Sequence, residues 1–200
     1  MPLPPRTPSI PRSMPEHFGV SGRGGATDGQ VVRAILAGDT ERYAELVTRY
    51  RDRYARYAAR MLGSADAAED AVQDAFVRAY DQLAQCRDPD NFVGWFFLIL
   101  RNRCFAERRR SRDVAPLEAA GAVAAPERPE VPVEMAERQR ALQHALLELT
   151  PEQREVFVLK HVEGLSYGEI AERLNTSVPS LKMRMHRAYD RLREQLRDRA

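Results

Sequence analysis

Two hundred residues, 44% of them apolar and 30% charged, suit one ordinary domain or two small ones with a globular balance of residue types. The longest apolar run, Phe92 to Leu100 interrupted by Gly94, falls well short of the roughly 20 residues a membrane-spanning helix needs, and the N-terminus has no apolar signal core, so no membrane insertion and a cytoplasmic location are expected. Cys86 and Cys104 are the only thiols and lie outside any CxxC or histidine pattern, which excludes a disulfide framework and gives no metal site.

The net charge of +2 conceals blocks of opposite sign. From Asp66 to Asp90 there are seven acidic residues against Arg78 and Arg87; from Arg101 to Arg112 there are six arginines against Glu107. Lys182 to Ala200 carries seven basic residues against three acidic ones. One acidic block and two basic ones point to one protein partner and two polyanion contacts.

In chain order, residues 1–27 hold six of the thirteen prolines together with Gly19, Gly22, Gly24 and Gly25, the composition of a disordered tail. After Asp39, a candidate N-cap, Tyr43, Leu46, Val47, Tyr50, Tyr54, Tyr57, Met61 and Leu62 recur at three and four, the period of one helix face, until Gly63 ends the run. The next helix sets Ala68, Ala71, Val72, Ala75, Phe76, Ala79 and Leu83 on one side and Asp66, Asp70, Gln73, Asp74 and Asp81 on the other, and should stop near Cys86, before the Asp88-Pro89-Asp90 turn.

Asp90 or Asn91 can cap a third helix, in which an apolar stretch with four aromatics, Phe92 to Leu100, runs into arginines. Periodicity groups Phe92, Phe96 and Ile99 on one strip and Trp95, Leu98 and Asn102 on its neighbour, and does not decide which strip is buried. Residues 114–133, with Pro116, Pro126, Pro129 and Pro132, have linker composition, and twenty flexible residues span roughly 25 Å by coil scaling. The chain thus divides into residues 28–113 and 134–200.

The second part is predicted helical over 134–149, 151–163, 166–174 and 178–197. Thr150-Pro151-Glu152-Gln153 and Ser166-Tyr167-Gly168-Glu169 are capping boxes, and Gly164 stands at a helix end. Only Asn175-Thr176-Ser177 separates the last two helices, the spacing of a helix-turn-helix unit. Leu181, Met185, Ala188, Leu192 and Leu196 form the inward stripe of the last one, so Lys182, Met183, His186 and Arg187 face outward near its start, where a recognition helix meets base edges and phosphates.

Taken together, these motifs resemble the sigma-70 family of bacterial RNA polymerase sigma factors, in the extracytoplasmic-function group that keeps only regions 2 and 4. DAAEDAVQDAFVRAY, residues 66–80, matches the family's core-binding helix, and FVGWFFLILRN, residues 92–102, its melting and minus-10 segment. Residues 149–192 match region 4. The resemblance implies an all-α fold of two small helical domains, a region 2 bundle and a region 4 helix-turn-helix, joined by a flexible linker. It implies binding of RNA polymerase core, through the clamp helices of the largest subunit and the flap, with Asp70, Gln73, Asp74 and Asp81 facing that partner.

Promoter DNA is the second implied partner. The minus-10 and melting contacts would come from Asn91, Phe92, Trp95, Phe96, Arg101, Asn102, Arg103, Arg108, Arg109 and Arg110, with rings that remain outside the core stacking on unpaired bases and arginines neutralising the backbone. The minus-35 contacts would come from Ser177, Pro179, Ser180, Lys182, Met183, Arg184, His186 and Arg187. The loop from Arg87 to Asn91 is where the family implies capture of a flipped base. An anti-sigma factor is the further partner that membership implies. Departures from the pattern are Ala106 where an aspartate is common, Pro179-Ser180 in place of a small pair, and Met183 at a position often small and polar.

The competing reading is a stand-alone helix-turn-helix regulator using residues 150–198, but such proteins bind paired half-sites as dimers and no heptad seam is present. No phosphate loop, dinucleotide turn or nucleophile elbow occurs, and His17, His144, His161 and His186 are scattered, so neither catalytic residues nor a cofactor is expected.

Overall fold

The computed structural model describes residues 25–114, 141–142 and 144–197. Of the tail expected over 1–27, residues 1–24 lie outside these residues, as does the linker expected over 114–133 save Val114. Among the described residues every regular element is a helix.

The first helix, α1 (Asp28–Leu36), is not among those read from the sequence. Thr27 caps it, accepting from the Gln30 backbone N–H while the Gln30 side chain accepts from the Thr27 N–H at 2.8 Å, a complete capping box. Val31, Val32 and Ile35 bury its inner face. Asp39 precedes a 3-10 turn, Thr40–Arg42, and makes no side-chain cap bond, so it is not the N-cap expected of it.

Helix α2 (Tyr43–Leu62) buries Leu46, Tyr50, Tyr54, Tyr57 and Met61, the face expected from its period, and ends at Gly63 in the left-handed conformation with φ 79°. Helix α3 (Ala65–Asp81), capped by Ser64, buries the alanine, valine and phenylalanine side of its pattern. It ends earlier than expected, and a 3-10 turn, Leu83–Gln85, carries the chain to Cys86. After a third such turn, Pro89–Asn91, helix α4 (Phe92–Val114) begins.

The start of α4 lies against both α2 and α3, which leaves no apolar ring in water. Phe76 and Phe96 have centroids 4.3 Å apart, Tyr54 and Phe96 4.8 Å, and Tyr57 and Phe97 5.2 Å, each pair tilted or edge-on as ring quadrupoles favour. The buried phenols of Tyr54 and Tyr50 are satisfied, Tyr54 donating to the Val93 carbonyl at 3.1 Å and Tyr50 to Asp28, and half-buried Tyr43 donates to the Phe76 carbonyl at 2.6 Å.

In the second part, residues 141–142 and 144–147 are helical, followed by α5 (Pro151–His161), α6 (Tyr167–Arg173) and α7 (Val178–Arg197). Thr150 and Ser166 close both expected capping boxes, and Gly164 has φ 72°. Leu181, Met185, Ala188 and Leu192 are buried as the stripe requires; Leu196, its last member, is 40% exposed because the helix outruns its supports.

The two parts pack on each other. Val156, Val158, Leu159, Leu165 and Ile170 of the second part belong to the same apolar core as the tyrosines of α2 and the phenylalanines of α4. Leu147 lies so near Gly63 that a Cβ added there would come within 2.3 Å of its Cδ2, a second reason for glycine at the end of α2.

Candidate nucleic-acid interface

The acidic face sits on α3. Asp70, Gln73, Asp74 and Asp81 are exposed, as is Asp66. Beside them lies a groove of about 890 Å³ between α2 and α3, walled by Val47, Val72, Phe76, Val77 and Tyr80. Val77 is 57% exposed and Tyr80 42%, two apolar side chains that the helical period placed with neither the core stripe nor the acidic one. Asp74 is not free: its Oδ2 lies 2.9 Å from Arg103 Nε on α4.

The arginine face sits on α4, and here the structure corrects the simplest expectation. Phe92, Trp95 and Phe96 are all buried, on both of the strips that periodicity had left open, so none of these rings offers a stacking face to a base in this arrangement. A helix flanked on two sides buries two strips. Asn91 is also buried, and neighbouring Asp90 pairs with Arg33 of α1.

Of the cations, Arg109 and Arg110 are exposed, as is Asn102. Arg110 reaches Glu107 at 3.0 Å. Arg108 donates to the Leu147 carbonyl at 3.0 Å. Arg101 grips Glu155 of α5 in a fork along one edge of its guanidinium, donating from Nε to Oε1 at 2.5 Å and from Nη2 to Oε2 at 3.0 Å.

Around that pair the electrostatics are unusual for a surface helix. Glu155 is fully buried. Burial pushes its carboxyl up, and the two Arg101 hydrogen bonds, the contact with Tyr57 and the field of Arg184 oppose that shift. Burial acts to lower Arg101, but its bonds to Glu155 outweigh it, and the guanidinium is held above its ordinary value. The charged pair is the state consistent with the forked geometry. Next to it, Arg154 is equally buried; burial and then Arg108 push it below the ordinary guanidinium range. Burial also raises the thiols, Cys86 to about 11 and Cys104 to about 12, which leaves both protonated and inert.

The third surface is the start of α7. The Ser177 hydroxyl accepts from the Ser180 N–H at 3.3 Å, so Ser177 serves as its N-cap, and Pro179 is tolerated in the first turn, where a backbone N–H would have no intrahelical acceptor. Lys182, Met183, His186 and Arg187 are exposed together, as the stripe implied, and His186 Nδ1 lies 2.7 Å from Asp190. Arg184 is only half-exposed, and its charge acts to lower the Glu155 carboxyl.

Comparison with known proteins decides what this combination is. Residues 46–114 match the family description "Sigma-70 region 2" and residues 139–192 match "Sigma-70, region 4". The ECF RNA polymerase sigma factor SigW of Bacillus subtilis (strain 168) is 33% identical over 178 residues, 84% of this chain and 95% of the relative. The chain is a sigma factor of the sigma-70 family, in its extracytoplasmic-function group.

The ECF RNA polymerase sigma-E factor of Escherichia coli (strain K12) is 32% identical to this sigma factor, covering 81% of this chain and 90% of the relative. Among solved structures, CnrH in complex with the cytosolic domain of CnrY is similar at a TM-score of 0.61 and 27% identity, over 86% of this chain and 99% of that one. The sigma factor RpoE in complex with the anti-sigma factor NepR from Bartonella quintana gives 0.58 at 25% identity, over 78% and 96%.

Its function is therefore that of a sigma factor: it binds RNA polymerase and directs promoter recognition and the initiation of transcription. A stand-alone helix-turn-helix regulator is not favoured, because it would leave the match over residues 46–114 without a role. No described helix is long and apolar enough to cross a membrane.

Proposed function

We propose that the three surfaces divide the work of initiation residue by residue. The acidic face of α3, with Asp70, Gln73, Asp74 and Asp81, docks on the basic clamp helices of the polymerase largest subunit, and region 4 meets the flap. Charge complementarity sets the rate and register of that encounter. Val77 and Tyr80 supply the apolar area beside it that an ion-pair rim lacks.

The arginines of α4 hold the opened minus-10 strand through its phosphates, and Asn102 with the loop from Arg87 to Asn91 meets the bases. Since Phe92, Trp95 and Phe96 are buried, their part is to fix the cationic rail in place. Lys182, Met183, His186 and Arg187 on α7 read the minus-35 duplex, with Ser177, Pro179, Ser180 and Arg184 shaping the approach to the backbone. The sigma factor does no chemistry itself and works in the cytoplasm, where the polymerase it loads carries out the reaction. An anti-sigma factor is a further partner, a reading supported by the complexes of CnrH and of RpoE noted above.

One observation carries this reading: an exposed acidic helix stands beside an arginine-bearing one in region 2, while an exposed basic reader stands apart in region 4. Asp70→Arg tests it more cleanly than Asp74→Arg, because Asp74 also holds Arg103. The expected result is loss of association with core polymerase and of promoter-dependent run-off transcription, with helical circular dichroism unchanged. Holoenzyme formation at wild-type affinity by Asp70→Arg would remove the assignment of α3.

A further inference from the structure

Helix α1 lies ahead of residue 46, where the match to region 2 begins, and it carries none of the three surfaces proposed above. It is nevertheless tied down firmly. Arg49 of α2 donates from Nη1 to Asp28 and from Nη2 to the Ala26 carbonyl, each at 2.8 Å, Tyr50 donates to Asp28, and Val31, Val32 and Ile35 sink into the core. The first turn of this fixed helix meets the loop from Arg87 to Asn91.

The contact is close. Gly29, in that first turn, is buried, and a Cβ there would overlap the Asp90 carboxylate, so only glycine lets the loop come this near. One turn further along, Arg33 donates from Nη2 to Asp90 Oδ2. Asp90 thus lies between the positive end of the α1 dipole and a guanidinium, two groups that favour a carboxylate. Within the loop, the Asp88 carbonyl accepts from the Asn91 N–H at 3.0 Å and from the Cys86 thiol at 3.4 Å, and the Pro89 ring restricts φ between them. The loop's shape is set locally, and the Asp90 link to α1 sets where that shape is held. Both side chains of the Arg33 pair are more than half exposed, and such pairs contribute little to stability.

We propose that α1 is a brace for the base-capturing loop and that Arg33, through its hold on Asp90, is a positioning residue for base recognition at minus-10. The inference rests on the loop from Arg87 to Asn91 meeting the bases, as proposed above. A flipped base is read by hydrogen bonds whose protein groups must be held to within about 0.5 Å, so a loop free to swing would admit any base. Arg33 also cancels the charge of a carboxylate that would otherwise stand in the path of a polyanion. Through Asp28, Arg49 and Tyr50 the brace refers the loop to α2, on which Phe96 of α4 packs through Tyr54. Loop and arginine rail therefore share one frame.

The test uses holoenzyme assembled from the full chain and purified core polymerase, with a randomised pool of single-stranded DNA oligonucleotides as the probe and core alone as background. Sequencing of the retained strands should show wild-type holoenzyme preferring one base at one position by about tenfold or more. Arg33→Glu sets a like charge against Asp90, and the preference should fall by about fivefold, the scale on which one exposed ion pair acts, while thermal melting and affinity for core stay at wild-type values. Arg33→Lys keeps the cation and should keep the preference. Gly29→Ala, which alters no charge but pushes Asp90 away, should flatten the preference as Arg33→Glu does.

A wild-type preference in both Arg33→Glu and Gly29→Ala overturns the brace. So does a joint loss of melting temperature and of retained DNA with the ratio among the four bases unchanged, which is what a merely structural role for α1 would give. A loss in Arg33→Lys as large as that in Arg33→Glu overturns the part assigned to the ion pair. Pro89→Gly, which loosens the loop itself, separates this failure from that of the reading it rests on. If Pro89→Gly also leaves the preference intact, the loop does not meet the bases; if it flattens the preference where Arg33→Glu does not, the loop reads bases without help from α1.

Discussion

Two helices of this sigma factor carry basic faces, and they are built in opposite ways. On α7 the apolar stripe through Leu181, Met185 and Ala188 is buried, and Lys182, Met183, His186 and Arg187 stand on the other side. Packing and the recognition proposed for this helix occupy different faces, so each could change without the other. On α4 the rings are buried all round as far as Phe97, and the arginines follow along the same axis. Arg101, Arg103, Arg108 and Arg110 all hold partners within the chain. Position on α4 is therefore coupled to the core, and its positive charge is largely committed until something displaces those partners.

The largest effect that separates the two helices is expected from core truncation. Phe96 touches Tyr54, Phe76 and Phe92, so Phe96→Ala should cost about 3–5 kcal/mol and take strand binding with it. Met183→Ala on α7, by contrast, should stay within about 0.5 kcal/mol of wild type while altering which promoters are used. Urea denaturation beside run-off transcription on a panel of promoters measures both. Comparable stability losses at the two positions would erase the distinction between the helices.

A smaller effect is expected at the start of α7. Ser177→Ala removes the acceptor of the Ser180 N–H and should cost about 1 kcal/mol. Because this end of the helix also presents the reader, minus-35 duplex binding should weaken alongside stability, and Ser177→Asp should recover the stability. If the alanine variant melts like wild type, the cap carries none of the helix's placement.

These contrasts also explain what could be read from the residues alone. The α7 stripe, the Thr150 and Ser166 boxes and the glycine stop at position 63 follow from local rules, each visible within a few residues. Helix α1 was equally local, since Thr27 and Gln30 make the same kind of box, but its nine residues are too few for a convincing period. What stayed hidden is non-local. Periodicity assigns one buried face to a helix, so it could not foresee that α4 buries both its strips between α2 and α3. It likewise places charged residues outward, and nothing near Arg154 or Glu155 marks them as fully buried: their partners lie 93 and 54 positions away. The candidate site residues were legible as a set of charges, and which of them are committed within the chain was not.

The smallest effect bears on the exposed reader itself. Each phosphate contact made by a lysine or arginine releases condensed counterion, so log affinity falls with log salt at a slope set by the number of contacts, about 0.9 per phosphate on duplex DNA. Lys182 and Arg187 have no ion pair among the described residues, and Lys182→Ala or Arg187→Ala should each lower that slope by about one when holoenzyme binding to a minus-35 duplex is titrated with salt. Arg101→Ala, whose guanidinium is already occupied by Glu155, should leave the slope for this duplex unchanged. A slope that falls equally for all three would mean that α4 and α7 meet the same DNA as one continuous surface, and the contrast between a free reader and a committed rail would be lost.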